Sequence, residues 1–465
     1  MTAPRPGGGA PGGAATSDAL SIVAAAHEAG DAVALHTEER RYSFAQLAAL
    51  TARRMATLTP LLQPGAVHPV VGSNTLDTLL TLYALLELRV PALLLHPRLT
   101  AAEQATERAA AEQATERAAT ERAAAALPAD AAVVLYTSGT TGRARGAVLT
   151  RPALLASAQA SADNLGWQPD DCWLLAMPVA RVGGLSIVTR CLAARRAVAL
   201  APAFDARRLP QWIERWRITQ LSLVPTMLAM LLDAHPTWTP PACLRIVLIG
   251  GAAASPALLA RAAARRLPVV VTYGCTETCS QVVATPYAQR FDAAACGAGR
   301  PLAGVQLRIE AGRVLVKGPM RMAGYLGEPP LAADDWFDTG DLGDIDTQGH
   351  LHLHGRRADL IVTGGDNVYP AEVEQVLETC PGVRAAAVFG VPDETWGQVV
   401  AAALVAGPQP PDDDTLRAHL ATRLAAHKRP RRIGFVAALP HTAAGKPDRL
   451  ALAALAGTLR PLRVA

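Results

Sequence analysis

A chain of 465 residues, half of them hydrophobic, carries enough apolar material for two or three cores and reads as a globular protein of more than one domain. A formal net charge of +4 is small for this size and argues against nucleic-acid binding and membrane binding. Seven cysteines are an odd count in a long chain, which argues against a disulfide framework; the one close pair, Cys275 and Cys279, has no second pair and no histidine cluster to make a zinc site. Reduced thiols in a cytoplasmic protein are expected.

Residues 1–17 are rich in Gly, Pro and Ala and lack an apolar run behind a basic start, so they read as a disordered tail, not a signal peptide. A helix over 19–26, a strand pair at 32–36 and 41–43, and a helix over 44–62 follow. The apolar run 79–95 is broken by Glu87, Arg89 and Pro91 and is short for a membrane span; it predicts a core helix and then a strand. Residues 102–124 are low-complexity, with AEQATERAA at 102–110 and again at 111–119. Ala, Glu, Gln and Arg favour helix, and Arg108–Glu112 and Arg117–Glu121 stand four apart, but no large apolar stripe exists. A solvated helical insert that buries little is expected.

From residue 131 the texture changes. Short β-rich runs at 131–136, 173–177, 197–200, 220–224, 244–249 and 269–272 alternate with helical runs such as 207–216 and 225–233. That alternation predicts α/β layers with largely parallel sheets. A hairpin over 304–316 turns at Ala311–Gly312. The C-terminal part reads as a small α+β unit with helices at 372–379 and 414–426 and strands at 384–389, 399–405 and 432–436. The expected organisation is a large α/β N-terminal domain over 18–356 and a small, mobile α+β C-terminal lid over 357–465.

The strand at 131–136 runs into Thr137-Ser138-Gly139-Thr140-Thr141-Gly142, with Arg143 and Arg145 behind it. Small hydroxyls and glycines let a loop aim several donors at one anion, and the spacing is not that of a Walker A loop. With its basic residue followed by Gly146, the segment resembles the phosphate loop of the adenylate-forming superfamily. That superfamily includes acyl- and aryl-CoA synthetases, firefly luciferase and peptide-synthetase adenylation domains. Arg145 stands where the family usually has Lys.

Further motifs of the family follow in order. Leu248-Ile-Gly-Gly251-Ala252 resembles the strand–turn that packs along adenine. Tyr273-Gly274-Cys-Thr276-Glu277 resembles the family's YGxTE: Tyr273 offers a face to the purine, Thr276 a hydroxyl to the α-phosphate, and Glu277 a hard oxygen to the Mg²⁺ that ATP brings. The segment ending in Asp341 resembles the one whose carboxylate grips the ribose diol. Gly355-Arg356-Arg-Ala358 resembles the hinge, with Arg356 on ribose or phosphate. Gly364 and Gly365 fall in a loop that approaches the site for thioester formation. Lys446, one of only three lysines among 44 basic residues, falls in a segment resembling the C-terminal lysine loop, whose cation meets the charge developing at the α-phosphorus.

Within the superfamily, residues 273–281 and 355–374 resemble 2-succinylbenzoate–CoA ligases of menaquinone biosynthesis. The stretch Met177–Ser186 aligns with one that commonly carries Phe-His where this chain has Ala180-Arg181. The acid pocket is expected to include Arg181, Gly183 and Ser280; Arg181 either pairs with the acid's second carboxylate or faces solvent or the coenzyme A channel. The resemblance implies ATP-dependent adenylation of a carboxylic acid and transfer of the acyl group to coenzyme A. ATP, Mg²⁺ and coenzyme A are then the cofactor and co-substrates, with no nucleic acid and no stable membrane insertion. Another aryl or acyl acid, a separate carrier protein as acceptor, a nucleotide-binding sensor and a homodimer all stay open at this point.

Overall fold

The structure, a computed structural model, describes residues 19–120, 127–138, 144–364, 366–441 and 448–462. The tail 1–17 and residues 121–124 of the insert lie outside the described residues.

A large α/β domain and a small C-terminal domain make up the chain. In the first, a nine-stranded sheet has a parallel centre of Val33–His36, Ala197–Leu200, Cys172–Leu175, Gln220–Leu223, Ile246–Ile249 and Val269–Cys275, in that spatial order. Four of these six strands are buried at every residue, because helices cover both faces. That is why they read as continuous apolar runs. A second sheet joins the parallel strands His68–Val71, Ala92–Leu95 and Ala131–Ser138 to antiparallel Ala144–Thr150 and Gly324–Tyr325. A four-stranded antiparallel sheet of Gln306–Glu310, Arg313–Lys317, Phe337–Ile345 and Leu351–Arg356 follows. The C-terminal domain pairs the long strands Val383–Asp393 and Gly397–Ala406 and packs helices Pro370–Glu378 and Asp413–Ala421 with them.

The helix Leu76–Glu87 starts where Thr75 accepts the Thr78 N–H at 3.2 Å, and its residues from Thr78 to Leu86 are all buried. It is the expected core helix. The expected helix over 44–62 stops at Leu58, and a 3₁₀ turn Thr59–Leu61 with Pro60 in its first turn takes over, since Pro cannot donate to the preceding turn. The expected hairpin turns at Ala311 and Gly312, with φ of 49° and 77°.

One expectation needs correction. The low-complexity segment forms the helix Ala101–Thr120, and it is not wholly solvated. Ala111 is 0 % exposed, packed with Leu93, Leu95, Val134 and Val148. A helix without a large apolar stripe can still dock when a small residue lets its backbone approach a sheet.

The nine-stranded sheet is tied at one end by a buried polar network. Asp171, fully buried as a side chain, accepts from Thr219 Oγ1 at 2.8 Å, Gln220 Nε2 at 3.1 Å, Arg245 Nε at 2.8 Å and the Gln168 N–H at 2.8 Å. Burial works against its charge, but the Arg245 guanidinium and these donors hold the carboxyl below its ordinary range. Asp171→Ala strands a buried guanidinium, so unfolding in urea should show a loss of about 3–5 kcal/mol.

Candidate active site

Strands Ala131–Ser138 and Ala144–Thr150 pair antiparallel, with Thr137 opposite Arg145 and Ser138 opposite Ala144. The phosphate-loop candidates Gly139, Thr140, Thr141 and Gly142 join these strand ends and lie outside the described residues, as do Gly365 and Lys446. The hairpin carries Arg145, whose guanidinium lies 3.4 Å from the centre of the Tyr325 ring and pairs with both oxygens of Glu328. Tyr325 O–H in turn donates to Glu277 Oε1 at 3.0 Å. Two sequence candidates 132 positions apart, Arg145 and Glu277, are thus joined through an aromatic residue that no motif singled out.

Glu277 sits in the 3₁₀ turn Thr276–Thr278, which follows the last parallel strand of the nine-stranded sheet. That strand ends Tyr273-Gly274-Cys275 and doubles back through Ser280–Ala284. Tyr273 donates its hydroxyl to Asp341 Oδ2 at 2.7 Å, and Arg356 Nε lies 2.9 Å from Asp341 Oδ1. Asp341 and Arg356 are register partners on neighbouring strands. Burial opposes the charge on Arg356, yet the carboxylates of Asp341 and Glu277 outweigh it and raise its pKa. Gly251, with φ +81°, and Ala252 form the loop after Ile246–Ile249, before the helix Pro256–Ala264. The candidates on 251–252, 273–277 and 356 therefore lie at or near strand ends and in loops, and Asp341 in the middle of the strand Phe337–Ile345.

The turn after Glu277 is strained. Cys279 and Ser280, neither of them glycine, have φ of 50° and 102°; such conformations cost of the order of 1–3 kcal/mol each and gather at functional sites. Thr278 over-determines them: its fully buried hydroxyl accepts the Cys275 N–H at 3.1 Å and reaches Cys275 O and Ser280 O at 3.1 and 3.0 Å. Ser157 Oγ also donates to Cys279 O at 2.8 Å. Opposite, a Cβ on Gly274 would stand 1.8 Å from Ser280 O, so only glycine fits.

Two arginines stand at and within the helix Val182–Ala194. Arg181 precedes the helix Val182–Ala194, and Gly183 lies in its first turn, where an added Cβ would meet Met177 Cε at 3.0 Å. Arg190, on the same helix, is 2 % exposed. With the Gln281 amide oxygen turned toward it, Nη1 and Nη2 donate at 3.0 and 3.2 Å, and the Trp173 ring lies 5.6 Å away. Among the described residues no carboxylate pairs with it, and burial pushes its pKa down to about 10. Sequence reasoning missed Arg190 because its helix is buried nearly all round and shows no polar face.

Gly364, in the expected thioester loop, has φ +60° and packs flat on the Trp396 indole, where a Cβ would come within 2.7 Å. Among the described residues no group of three or more His, Cys, Asp or Glu side chains could hold a metal ion alone. A single carboxylate such as Glu277 is the kind of ligand that, with nucleotide phosphates, suffices to hold Mg²⁺. No helix among the described residues is long and apolar enough to cross a membrane.

The strained turn makes its own prediction. Thr278→Val keeps the shape and removes the hydroxyl, and should lower stability in urea by about 1–3 kcal/mol. Gly274→Ala, which collides with backbone, should not yield a folded protein by circular dichroism.

The family model for AMP-binding enzyme matches residues 102–326, and that for the AMP-binding enzyme C-terminal domain matches 372–446. A 2-succinylbenzoate–CoA ligase of Enterococcus faecalis is 39 % identical over 336 residues, covering 68 % of this chain and 67 % of that protein. Among solved structures, o-succinylbenzoate CoA synthetase (MenE) from Bacillus subtilis in complex with the acyl-adenylate intermediate OSB-AMP superposes with a TM-score of 0.82 at 31 % identity, over 93 % of this chain and 97 % of that one. The same enzyme in complex with ATP and magnesium ion gives 0.80 at 31 % identity, over 92 % and 98 %. The chain belongs to the AMP-binding enzyme family and is an AMP-forming ligase.

Proposed function

We infer that this chain adenylates 2-succinylbenzoate with ATP and passes the acyl group to coenzyme A, the acid–CoA ligation step of menaquinone biosynthesis, in the cytoplasm. In the first step a carboxylate oxygen attacks the α-phosphorus, and the bond to the β-phosphate breaks with loss of pyrophosphate. In the second, the coenzyme A sulfur attacks the acyl carbon, AMP leaves, and the thiol proton goes to solvent. The observation that carries the reading is Arg190. 2-Succinylbenzoate has two carboxylates: one reacts, and the other must be recognised as an anion. A guanidinium 2 % exposed, answered only by an amide oxygen and an indole face, supplies an uncompensated charge behind the strained wall at Cys279–Gln281.

The remaining roles follow from the resemblance of these segments to the family's motifs. Asp341 takes the ribose diol, and Tyr273 and Arg356 orient it. The loop 139–142 and Arg145 hold phosphates, with Glu277 on the Mg²⁺ that accompanies them. Thr276 meets the α-phosphate, and Lys446 stabilises the charge that develops there. The domain boundary falls at Arg356–Ala358, and rotation there exchanges Lys446 for the Gly364–Gly365 loop between the two steps.

The test is a panel of acids with ATP and coenzyme A, read by mass spectrometry for the thioester. 2-Succinylbenzoate should outrun 4-oxo-4-phenylbutanoate, which lacks only the ring carboxylate. Arg190→Met should cut kcat/KM for 2-succinylbenzoate about 100-fold, roughly 3 kcal/mol, and change that for the monoacid within a few-fold. Equal losses on both acids would remove Arg190 from acid recognition; a wild-type preference for the monoacid would overturn the substrate.

A further inference from the structure

A second group of unanswered donors lies away from Arg190, at the C-terminal end of the other parallel sheet. There Leu94 is in register with Leu135 and Val71 with Leu95, so His96 follows the strand end next to the strand that leads into the phosphate loop. Carboxyl ends of parallel strands are where such sheets receive ligands. His96 is 5 % exposed. Its Nδ1 accepts the Arg98 N–H at 3.1 Å, so the neutral ring carries its proton on Nε2. That Nε2–H is buried and finds no partner among the described residues. Burial, Arg181 and Arg98 hold the ring's pKa down at about 4, so the ring is a neutral donor at physiological pH.

Arg181 is the second donor. Its Nε is buried without a partner, and among the described residues no carboxylate lies within ion-pair distance of it. The backbone around it is fixed. Its own N–H donates to Pro178 O at 3.0 Å, and the Val179 N–H donates to Asn74 Oδ1 at 3.2 Å. Gly72 lets Ala180 sit so close that an added Cβ would stand 2.6 Å from the Ala180 Cβ. His96 and Arg181 thus each present a buried N–H that finds no acceptor among the described residues, which is the chemistry of a site for an anion brought by a ligand.

The third member comes from the repeat helix. Tyr136 O–H donates to Glu107 O at 3.1 Å, which fixes the helix against the strand ahead of the phosphate loop. The Glu107 carboxyl is half-buried; burial pushes its pKa up, while Arg181 works to lower it. Glu107 therefore faces the same space with opposite charge and makes no ion pair there.

We propose that His96 and Arg181 form an anion subsite for the terminal phosphates of the nucleotide, holding pyrophosphate until it leaves, and that Glu107 opposes it and speeds its release. The proposal rests on the adenylation reading above. Position selects phosphate over the acid's carboxylate, because the subsite borders the strand into the phosphate loop, whereas Arg190 backs the turn at Gln281.

The test titrates magnesium pyrophosphate and, separately, AMP into the full-length chain by calorimetry, alongside the KM for ATP and for the acid. Arg181→Met should weaken pyrophosphate at least tenfold and raise the KM for ATP in parallel, with AMP affinity kept within twofold. His96→Phe should weaken pyrophosphate several-fold. Glu107→Gln, a conservative change with the opposite sign, should tighten pyrophosphate several-fold and slow turnover where its release is limiting. Unchanged pyrophosphate affinity in both Arg181→Met and His96→Phe overturns the proposal. So does equal weakening of AMP, which would mean general damage, or an effect confined to the KM of the acid, which would give Arg181 to the acid. If wild type binds pyrophosphate through these residues but forms no acyl-adenylate from the diacid, the substrate assignment falls and the subsite stands.

Discussion

The site is organised around one buried carboxylate. Asp341 is 8 % exposed and would cost several kcal/mol to bury alone. Two partners offset that cost: the Tyr273 hydroxyl on one oxygen and the Arg356 guanidinium on the other. They come from different elements. Tyr273 stands near the end of the last parallel strand of the nine-stranded sheet, and Arg356 is the final residue of its strand before the 3₁₀ turn Arg357–Asp359. The carboxylate thus fixes the Tyr273 ring on one side and the Arg356 guanidinium on the other; in the proposed reaction the ring is offered to a base and the carboxylate is the acceptor offered to a ribose. An orienting network of this kind tolerates little change, because removing either partner leaves charge buried without compensation.

The charge of the site is local. A net charge of +4 makes no global field, yet Arg145 stands against Tyr325, Arg190 against Gln281, Arg356 against Asp341 and Arg181 near His96. Their environments differ. Arg356 is neutralised by Asp341, and Arg145 is shared between Glu328 and the Tyr325 ring. Arg181 and Arg190 have no paired carboxylate among the described residues. Arginine suits that situation: even with burial pulling Arg190 down to about 10, its guanidinium stays charged, where a lysine ammonium would surrender its proton more readily. The chain's preference for Arg over Lys fits a site that keeps bare cations in low dielectric.

Much of this was legible from residue order, for identifiable reasons. Parallel strands covered on both faces read as unbroken apolar runs, so the strand Ala197–Leu200 was expected residue for residue and its neighbours within one or two positions at most ends. Tyr273, Glu277, Asp341 and Arg356 carried their motifs with them. What was not legible is what depends on long-range approach. Glu328 meets Arg145 across 183 positions, and Tyr325 joins Arg145 to Glu277 only because Gly324–Tyr325 adds a strand beside Ala147 and Val148. The positive φ angles at Cys279 and Ser280 run against what their residue types prefer. Arg190 and His96 are polar residues in apolar runs, and only the lack, among the described residues, of a carboxylate for Arg190 and of an acceptor for His96 Nε2 sets them apart from satisfied core residues.

This arrangement separates two kinds of electrostatic work. In the proposed reaction the arginines fixed in the large domain bind anions that are charged before the reaction starts: the phosphates and the second carboxylate of the acid. Such binding is nearly the same in ground and transition states, so it lowers the concentration of substrate needed without lowering the chemical barrier. A cation that acts on the barrier must meet charge that appears only as the new bond forms at phosphorus. In the proposed reaction that cation is Lys446, which the C-terminal domain brings in. A mobile lysine can arrive for adenylation and withdraw before thioester formation, whereas a fixed arginine would hold pyrophosphate or AMP in place. In the proposed reaction the scarcity of lysine in this chain and its presence at 446 are two sides of the same requirement: permanent charges where anions are held, and one movable charge where the bond is made.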